Sequence, residues 1–252
     1  MKVSIIVPVL NSHEIVRRQL LHFIKIGIPN DVEIIYVDDG SDPPIPYPTG
    51  IGCTFVLLPT NDYRPWTWAL ARNKGAKNAR GEYLIMTDLD YIIPKQLIED
   101  VRAFNGDYMG FRREFGVLDE HGIFTQDHDI LIEYGLSPER IKDRGTNLPA
   151  HPNNFAIRKD LFLKMGGYRE DLVGRPYPQG EDNDWKKKRK HWQADGRLVE
   201  SEHRPCIYMF PNGRWCGDVD YNPFGLFHDL SRKSERNPWT EIKPDGTIGA
   251  RA

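Results

Sequence analysis

Three acidic clusters in this 252-residue chain have side-chain types and spacing suited to chemistry: Asp38-Asp39, Asp88-Leu89-Asp90 and Glu181-Asp182. Two carboxylates at i and i+2, just past a strand, can hold a hard divalent cation such as Mg²⁺ or Mn²⁺ through oxygen. The same Asp-x-Asp spacing also serves an exposed turn that binds its own backbone, and Asp38-Asp39-Gly40-Ser41 is ordinary turn chemistry too. Glu181 and Asp182 follow Gly180, where first-turn carboxylates favour the positive end of a helix dipole. A carboxylate so placed can equally take a proton from a hydroxyl.

Basic and aromatic residues add to this set. Arg72 lies in Ala71-Arg72-Asn73-Lys74-Gly75-Ala76, where its residue type alone suits a helix surface. The run Lys186-Lys187-Lys188-Arg189-Lys190 sweeps more than a full helical turn, so its members cannot share one face. It reads as a solvated face, with an anionic acceptor as the alternative. At helical spacing Asp182, Trp185, Arg189 and Trp192 form one stripe, which would pack the tryptophans inward and aim Asp182 at a cleft. Trp66 and Trp68 suit either stacking on a ring or the core.

The elements that must position these residues alternate. Val3–Leu10, Val32–Val37, Cys53–Leu58 and Tyr83–Thr87 read as strands. Helical patterns run over His13–Ile26, with Ser12 as N-cap, over Trp66–Ala79, and from Pro94 in a first turn to about Phe104. Strands alternating with helices predict an α/β fold with a mostly parallel, doubly wound sheet. Ligands of such sheets gather outside the carboxyl ends of the strands, where both Asp clusters of the first half fall. The second half is less regular. Proline- and glycine-rich stretches at 43–50, 145–153 and 174–180 read as loops, and helices are expected at Arg158–Met165 and Glu181–Trp192. No internal repeat or linker interrupts the chain, so the reading is one catalytic domain over 1–230. Its halves are about 1–105 and 106–230, and 231–252 is a polar, partly mobile C-terminal segment.

Val37-Asp38-Asp39-Gly40-Ser41, the Arg72 segment with Ala79-Arg80-Gly81-Glu82-Tyr83, Asp88-Leu89-Asp90, and Met165-Gly166-Gly167-Tyr168 with Gly180-Glu181-Asp182 occur in this order. Together they resemble the inverting GT-A glycosyltransferases of family 2, over about residues 2–105 and 150–193. The Gly-Gly-Tyr and Gly-Glu-Asp pair also resembles galactosyltransferases of the same fold. The resemblance implies a GT-A fold and transfer of a sugar from a nucleotide-diphospho-sugar, most often a UDP-sugar, to an acceptor hydroxyl. It implies that Pro8, Val9, Asn11 and Asp39 hold the nucleotide base and that Arg72 sits near its phosphates. Asp88 would bind ribose or support the metal, and Asp90 would ligate Mn²⁺ or Mg²⁺. Asp182 would be the catalytic base, with Glu181 on sugar or acceptor hydroxyls. A histidine completes the metal site in some relatives, and the candidates are His228, followed by Arg232, Lys233 and Arg236, and His203. The segment from 224 to 240 would order over a bound diphosphate.

Composition bounds the alternatives. With 34 basic and 36 acidic side chains the formal net charge is −2, which gives no wholesale electrostatic case for nucleic-acid binding. Three cysteines without Cys-x-x-Cys spacing argue against a disulfide framework or a cysteine zinc site and fit a reducing compartment. The apolar start is too short for a secretory signal or a membrane span of about 20 residues. The expectation is a soluble, cytoplasmic protein without a transmembrane segment. A sugar-phosphate nucleotidyltransferase would carry a Gly-rich basic loop where Pro8-Val9-Leu10-Asn11-Ser12 stands. An inactive nucleotide-sugar-binding module is the remaining alternative. The acceptor stays open among glycan, glycolipid, protein and modified DNA base.

Overall fold

The computed structural model of the chain describes residues 1–64, 67–173 and 180–211, together with strand backbone at 240–242 and 248–250. Along the first half run β1 (Val3–Val9), α1 (His13–Ile26), β2 (Val32–Asp38), β3 (Thr54–Pro59), α2 (Trp68–Asn78), β4 (Tyr83–Met86), β5 (Tyr91–Ile92) and α3 (Lys95–Ala103). Then come β6 (Tyr108–Gly110), β7 (Arg112–Phe115), β8 (Val117–Leu118), β9 (Phe124–Thr125), α4 (His128–Glu133), α5 (Pro138–Arg144) and β10 (Asn147–Leu148). The rest comprises β11 (Phe155–Arg158), α6 (Lys159–Lys164), a 3-10 turn at Glu170–Leu172, α7 (Glu181–Ala194), β12 (Cys206–Met209) and the hairpin of β13 (Thr240–Ile242) with β14 (Ile248–Ala250).

The central six-stranded sheet has the order β3-β2-β1-β4-β11-β6. β3, β2, β1 and β4 pair in parallel, and β11 runs against both β4 and β6. β1 and β2 are buried at every residue, as befits parallel strands covered on both faces. Alternate side chains of β1 go to opposite layers. Val3, Ile5 and Val7 join the cluster with Ile15, Val16 and Phe23 of α1, whereas Ile6 joins Ala69, Ala71 and Ala76 of α2. Close docking of α2 depends on Gly75, where a Cβ would stand 2.5 Å from Ile6 Cγ2.

A second sheet, β10-β7-β12-β5, was not foreseen. Its strands are two to four residues long and come from four distant segments, too short for a periodic signal. β5 starts directly after Asp90, so the two sheets meet at the acidic loop. Gln19 of α1 straps that loop, its Nε2 donating to Leu89 O at 2.5 Å and Tyr91 O at 2.8 Å while Tyr36 OH donates to its Oε1.

Several element ends differ from the periodic reading. The Ser12 hydroxyl donates to Leu10 O and forms no side-chain cap on α1. Pro94 is extended at φ −75 and ψ 156, so α3 starts one residue later than expected. α2 begins at Trp68, because the preceding Thr67 spends its hydroxyl on Asp39. Among the described residues no helix is long and apolar enough to cross a membrane.

Candidate active site

β2 delivers two adjacent aspartates with different work. The Asp38 carboxylate accepts from Ser41 N and Ile45 N at 2.9 and 3.0 Å, which is turn chemistry. Asp39 turns the other way, into the crevice wall, 1% exposed, and accepts from the hydroxyls of Thr60 and Thr67. Its N–H donates to Val9 O at 2.7 Å, which ties the end of β2 to the end of β1. Pro8 and Val9 are buried in β1, in register with Val37 and Asp38. Asn11 is left-handed at φ 57, its N–H donating to Ser41 Oγ at 2.9 Å. Its Nδ2 is buried without a hydrogen-bond partner among the described residues.

β4 ends at Met86 on the same edge, and Asp88 and Asp90 follow. Arg72 reaches Asp88 from α2 as a short ion pair. The side chain is no helix-surface residue: Arg72 is 2% exposed and its guanidinium lies 5.3 Å from the Tyr168 ring. Its Nε and Nη1 have no hydrogen-bond partner among the described residues, so a buried cation keeps unspent donors beside the acidic loop. Burial would raise the Asp88 carboxyl, but the charges of Arg72 and His151 outweigh it and hold it below its usual value. Among the described residues Asp90 has no such ion pair. Burial, with the like charge of Asp88, pushes its carboxyl up to about 7.

α7 supplies the third cluster. Asp182 Oδ1 accepts from Asn153 Nδ2 at 2.6 Å, and Asn153 Oδ1 accepts from Tyr168 OH at 2.9 Å. Tyr168 is in turn gripped by Asn73 of α2, which accepts from its N–H at 2.9 Å and donates to its carbonyl at 2.8 Å. Gly167, at φ +56, makes this grip possible, since a Cβ there would stand 2.5 Å from Asn73 Oδ1. The Gly-Gly-Tyr motif is therefore the support of Asp182. Trp185, fully buried, stacks on Tyr168 and Phe155 at 5.2 and 5.3 Å and anchors α7 as its stripe implied. Trp192 is partly buried, with Arg197 over its ring at 4.2 Å. Glu181 stands beside Asp182, its carboxyl raised by burial and by that neighbour's charge.

His151 joins the clusters, and sequence reasoning missed it. Its Nε2 lies 3.5 Å from Asp182 Oδ2 and its Nδ1 lies 3.9 Å from Asp88 Oδ2. Burial lowers its pKa against the pull of both carboxylates. The segment bearing it is fixed from the second sheet, where Arg113 donates to Pro149 O at 2.5 Å and to Tyr91 OH. The only sequence signal was a histidine in front of Pro152-Asn153-Asn154, inside a stretch read as loop.

Of the two histidines singled out earlier, only His203 is among the described residues. His203 is exposed and sits 3.1 Å from Asp100 Oδ2 on α3, an acid outside the three clusters. His228 and the rest of 224–239 lie outside the described residues. Among the described residues no three His, Cys, Asp or Glu side chains converge as a ready metal cage. What the site offers an ion is Asp88 with Asp90.

Acids at the carboxyl edge of a mostly parallel sheet, with a buried arginine among them, stand where open α/β sheets take their ligands. The profile of glycosyl transferase family 2 matches residues 4–165, and the chain belongs to that family. The match spans Asp39, Arg72, Asp88, Asp90 and His151 and ends before Glu181 and Asp182. The uncharacterized glycosyltransferase YfnE of Bacillus subtilis (strain 168) is 32% identical over 99 residues, 39% of this chain and 25% of that protein. Among solved structures, S. aureus TarS 1–349 in complex with UDP-GlcNAc is similar at TM-score 0.52 and 20% identity, over 84% of this chain and 59% of that one. TarS 1–349 in complex with UDP gives TM-score 0.51 and 19% identity, over 94% and 67%. The chain thus spans a quarter of its curated relative, and the TarS likeness is one of fold.

Proposed function

We propose that the chain is a metal-dependent, inverting glycosyltransferase of the hexosyl type that moves a sugar from a UDP-sugar to an acceptor hydroxyl, with Asp182 as the base. The observation that carries the reading is the support of Asp182, held at 2.6 Å by Asn153, with His151 3.5 Å from it and 3.9 Å from Asp88, the partner of Arg72. A carboxylate whose charge is felt by a guanidinium with unspent donors supports a reading in which one takes a proton and the other meets a phosphate. The similarity to TarS 1–349, solved in complex with UDP and with UDP-GlcNAc, favours a uridine donor.

In this mechanism Asp182 takes the acceptor's proton as its oxygen attacks the anomeric carbon. The new C–O bond forms as the bond to the diphosphate breaks on the opposite side, which inverts the centre, and UDP departs with the electron pair. Arg72 meets the growing charge with its spare N–H donors. Pro8, Val9, Asn11 and Asp39 line the base pocket, and Glu181 contacts sugar or acceptor hydroxyls. A divalent ion fits the donor set, because Asp88 and Asp90 are adjacent oxygen ligands and their mutual repulsion is relieved by a cation. Asp90 and Asp88 would hold Mn²⁺ or Mg²⁺, with His228 as the sequence candidate for a further ligand, and the ion would act as a Lewis acid for the diphosphate.

The test is a screen of UDP-, GDP- and dTDP-sugars for nucleotide diphosphate release, with and without Mn²⁺. Release from a UDP-sugar that needs the ion, and that Asp182→Asn abolishes without loss of UDP binding, is the expected result. No release and no binding with any donor would overturn the reading.

A further inference from the structure

A recess of about 160 Å³, with His151 in its lining, opens between the 150–154 segment, β6 and α7. Lys186, Arg189 and Arg204 line it, against Glu200 alone among acids. Both oxygens of Glu200 are already taken: Arg189 and Gln193 donate to Oε2 at 2.6 and 2.7 Å, and Arg204 donates to Oε1 at 3.0 Å. One carboxylate thus serves two guanidinium groups, and Lys186 has no ion-pair partner among the described residues. The lining carries an excess of two positive charges. Asn154 forms part of the wall, 1% exposed; its Oδ1 accepts from Thr87, and its Nδ2 has no hydrogen-bond partner among the described residues. An unsatisfied buried donor in a cationic recess calls for an acceptor-rich ligand.

Its position decides which ligand. Lys186 is four residues after Asp182 on α7, so the two lie on one face about 6 Å apart along the axis. We propose that the recess is the acceptor subsite and takes a saccharide or polyol carrying a phosphate or carboxylate group, seated about one helical turn from the hydroxyl that Asp182 deprotonates. This rests on Asp182 as the base. The recess has room for one such group rather than a duplex, and the chain's net charge of −2 gives nucleic acid no wider footprint.

The experiment titrates the protein by NMR, with saturating UDP and Mg²⁺ filling the donor site, using glucuronate and sorbitol 6-phosphate against glucose and sorbitol. The charged probes are expected to bind at least tenfold tighter than their neutral counterparts. Lys186→Glu and Arg204→Glu should each remove that preference, and Lys186→Arg should keep it, while calorimetric UDP affinity stays unchanged in all three. Preference for only one of the two charged probes identifies the group, phosphate or carboxylate, and supports the subsite. Equal binding of charged and neutral probes, no binding of any probe, a preference that survives both charge reversals, or displacement of the probes by a DNA oligonucleotide at lower concentration would each overturn it. Failure of UDP to bind would instead strike the donor reading, and the probe preference would still judge the recess.

Discussion

The two ends of the central sheet handle buried charge in opposite ways. At the amino end, Glu33 of β2 is fully buried, and its carboxylate accepts from Ser4 Oγ at 2.6 Å, Arg80 N at 2.5 Å and Arg80 Nε at 3.0 Å. Ser4 Oγ accepts in turn from Gly81 N at 2.8 Å. Burial would raise this carboxyl, but the hydrogen bonds outweigh it and hold it below its ordinary value. At the carboxyl end, Arg72, Asn11 and Asn154 keep buried donors unspent among the described residues, and Asp90 is pressed against Asp88. The protein completes its own polar network at one end and leaves it incomplete at the other. Incomplete satisfaction of buried groups costs stability, so it persists where a ligand finishes the network.

That contrast can be broken or sharpened by substitution. Asp182→Asn is expected to slow transfer by about 10²–10⁴ with UDP affinity retained, the scale of a lost general base, read by UDP release and calorimetry. If Glu181→Gln is the crippling change and Asp182→Asn is nearly silent, the base is misassigned. Asp90→Ala should remove the ion-dependent part of UDP-sugar affinity, and calorimetry with and without Mn²⁺ would show it. In thermal melts of the ligand-free protein, Glu33→Gln should cost about 2 kcal/mol, because it weakens hydrogen bonds to a buried charge. Asp90→Asn should leave the midpoint unchanged or raise it, because it removes a like-charge neighbour. A smaller effect belongs to neither end. His22 is buried between Ile93 O and Gly122 O, and burial lowers its pKa below the ordinary value. Below about pH 6.5 the unfolded chain binds this proton more readily than the native one, so stability falls as pH drops through that region. A pH series of melts should show a steeper fall for wild type than for His22→Gln.

The long elements were legible because their physics is local. β1 and β2 announce themselves as unbroken β-branched runs, and α1 by its period. The second sheet was not, since pairs such as Tyr208 with Ile92 join segments more than a hundred residues apart without a pattern in either. At the candidate site, the acids Asp39, Asp88, Asp90 and Asp182 could be picked out by their place after strands or in the first turn of a helix. Their supports could not. Nothing in the sequence says that Arg72 is buried or that Asn73, Asn153 and Tyr168 form one chain of hydrogen bonds to Asp182. His151 was one of eight histidines, and only the folded 150–154 segment distinguishes it.

The strap from Gln19 would bear on which ion the proposed site could take. Leu89 O and Tyr91 O accept from that amide, Asp88 O accepts from Tyr91 N at 3.2 Å, and Asp90 O accepts from Phe210 N at 2.9 Å. Every main-chain oxygen of the acidic loop from 88 to 91 thereby accepts at least one hydrogen bond, which fixes its direction. An ion taken up there would meet carboxylates, donor phosphates and its own retained water, with little carbonyl oxygen to recruit. Calcium, which gathers six to eight oxygens in a flexible cage, is poorly served by so few protein ligands. A small ion that gives up its hydration shell reluctantly would be the better match for such a site, and a loop strapped in this way would have little conformational freedom left to lose on binding it.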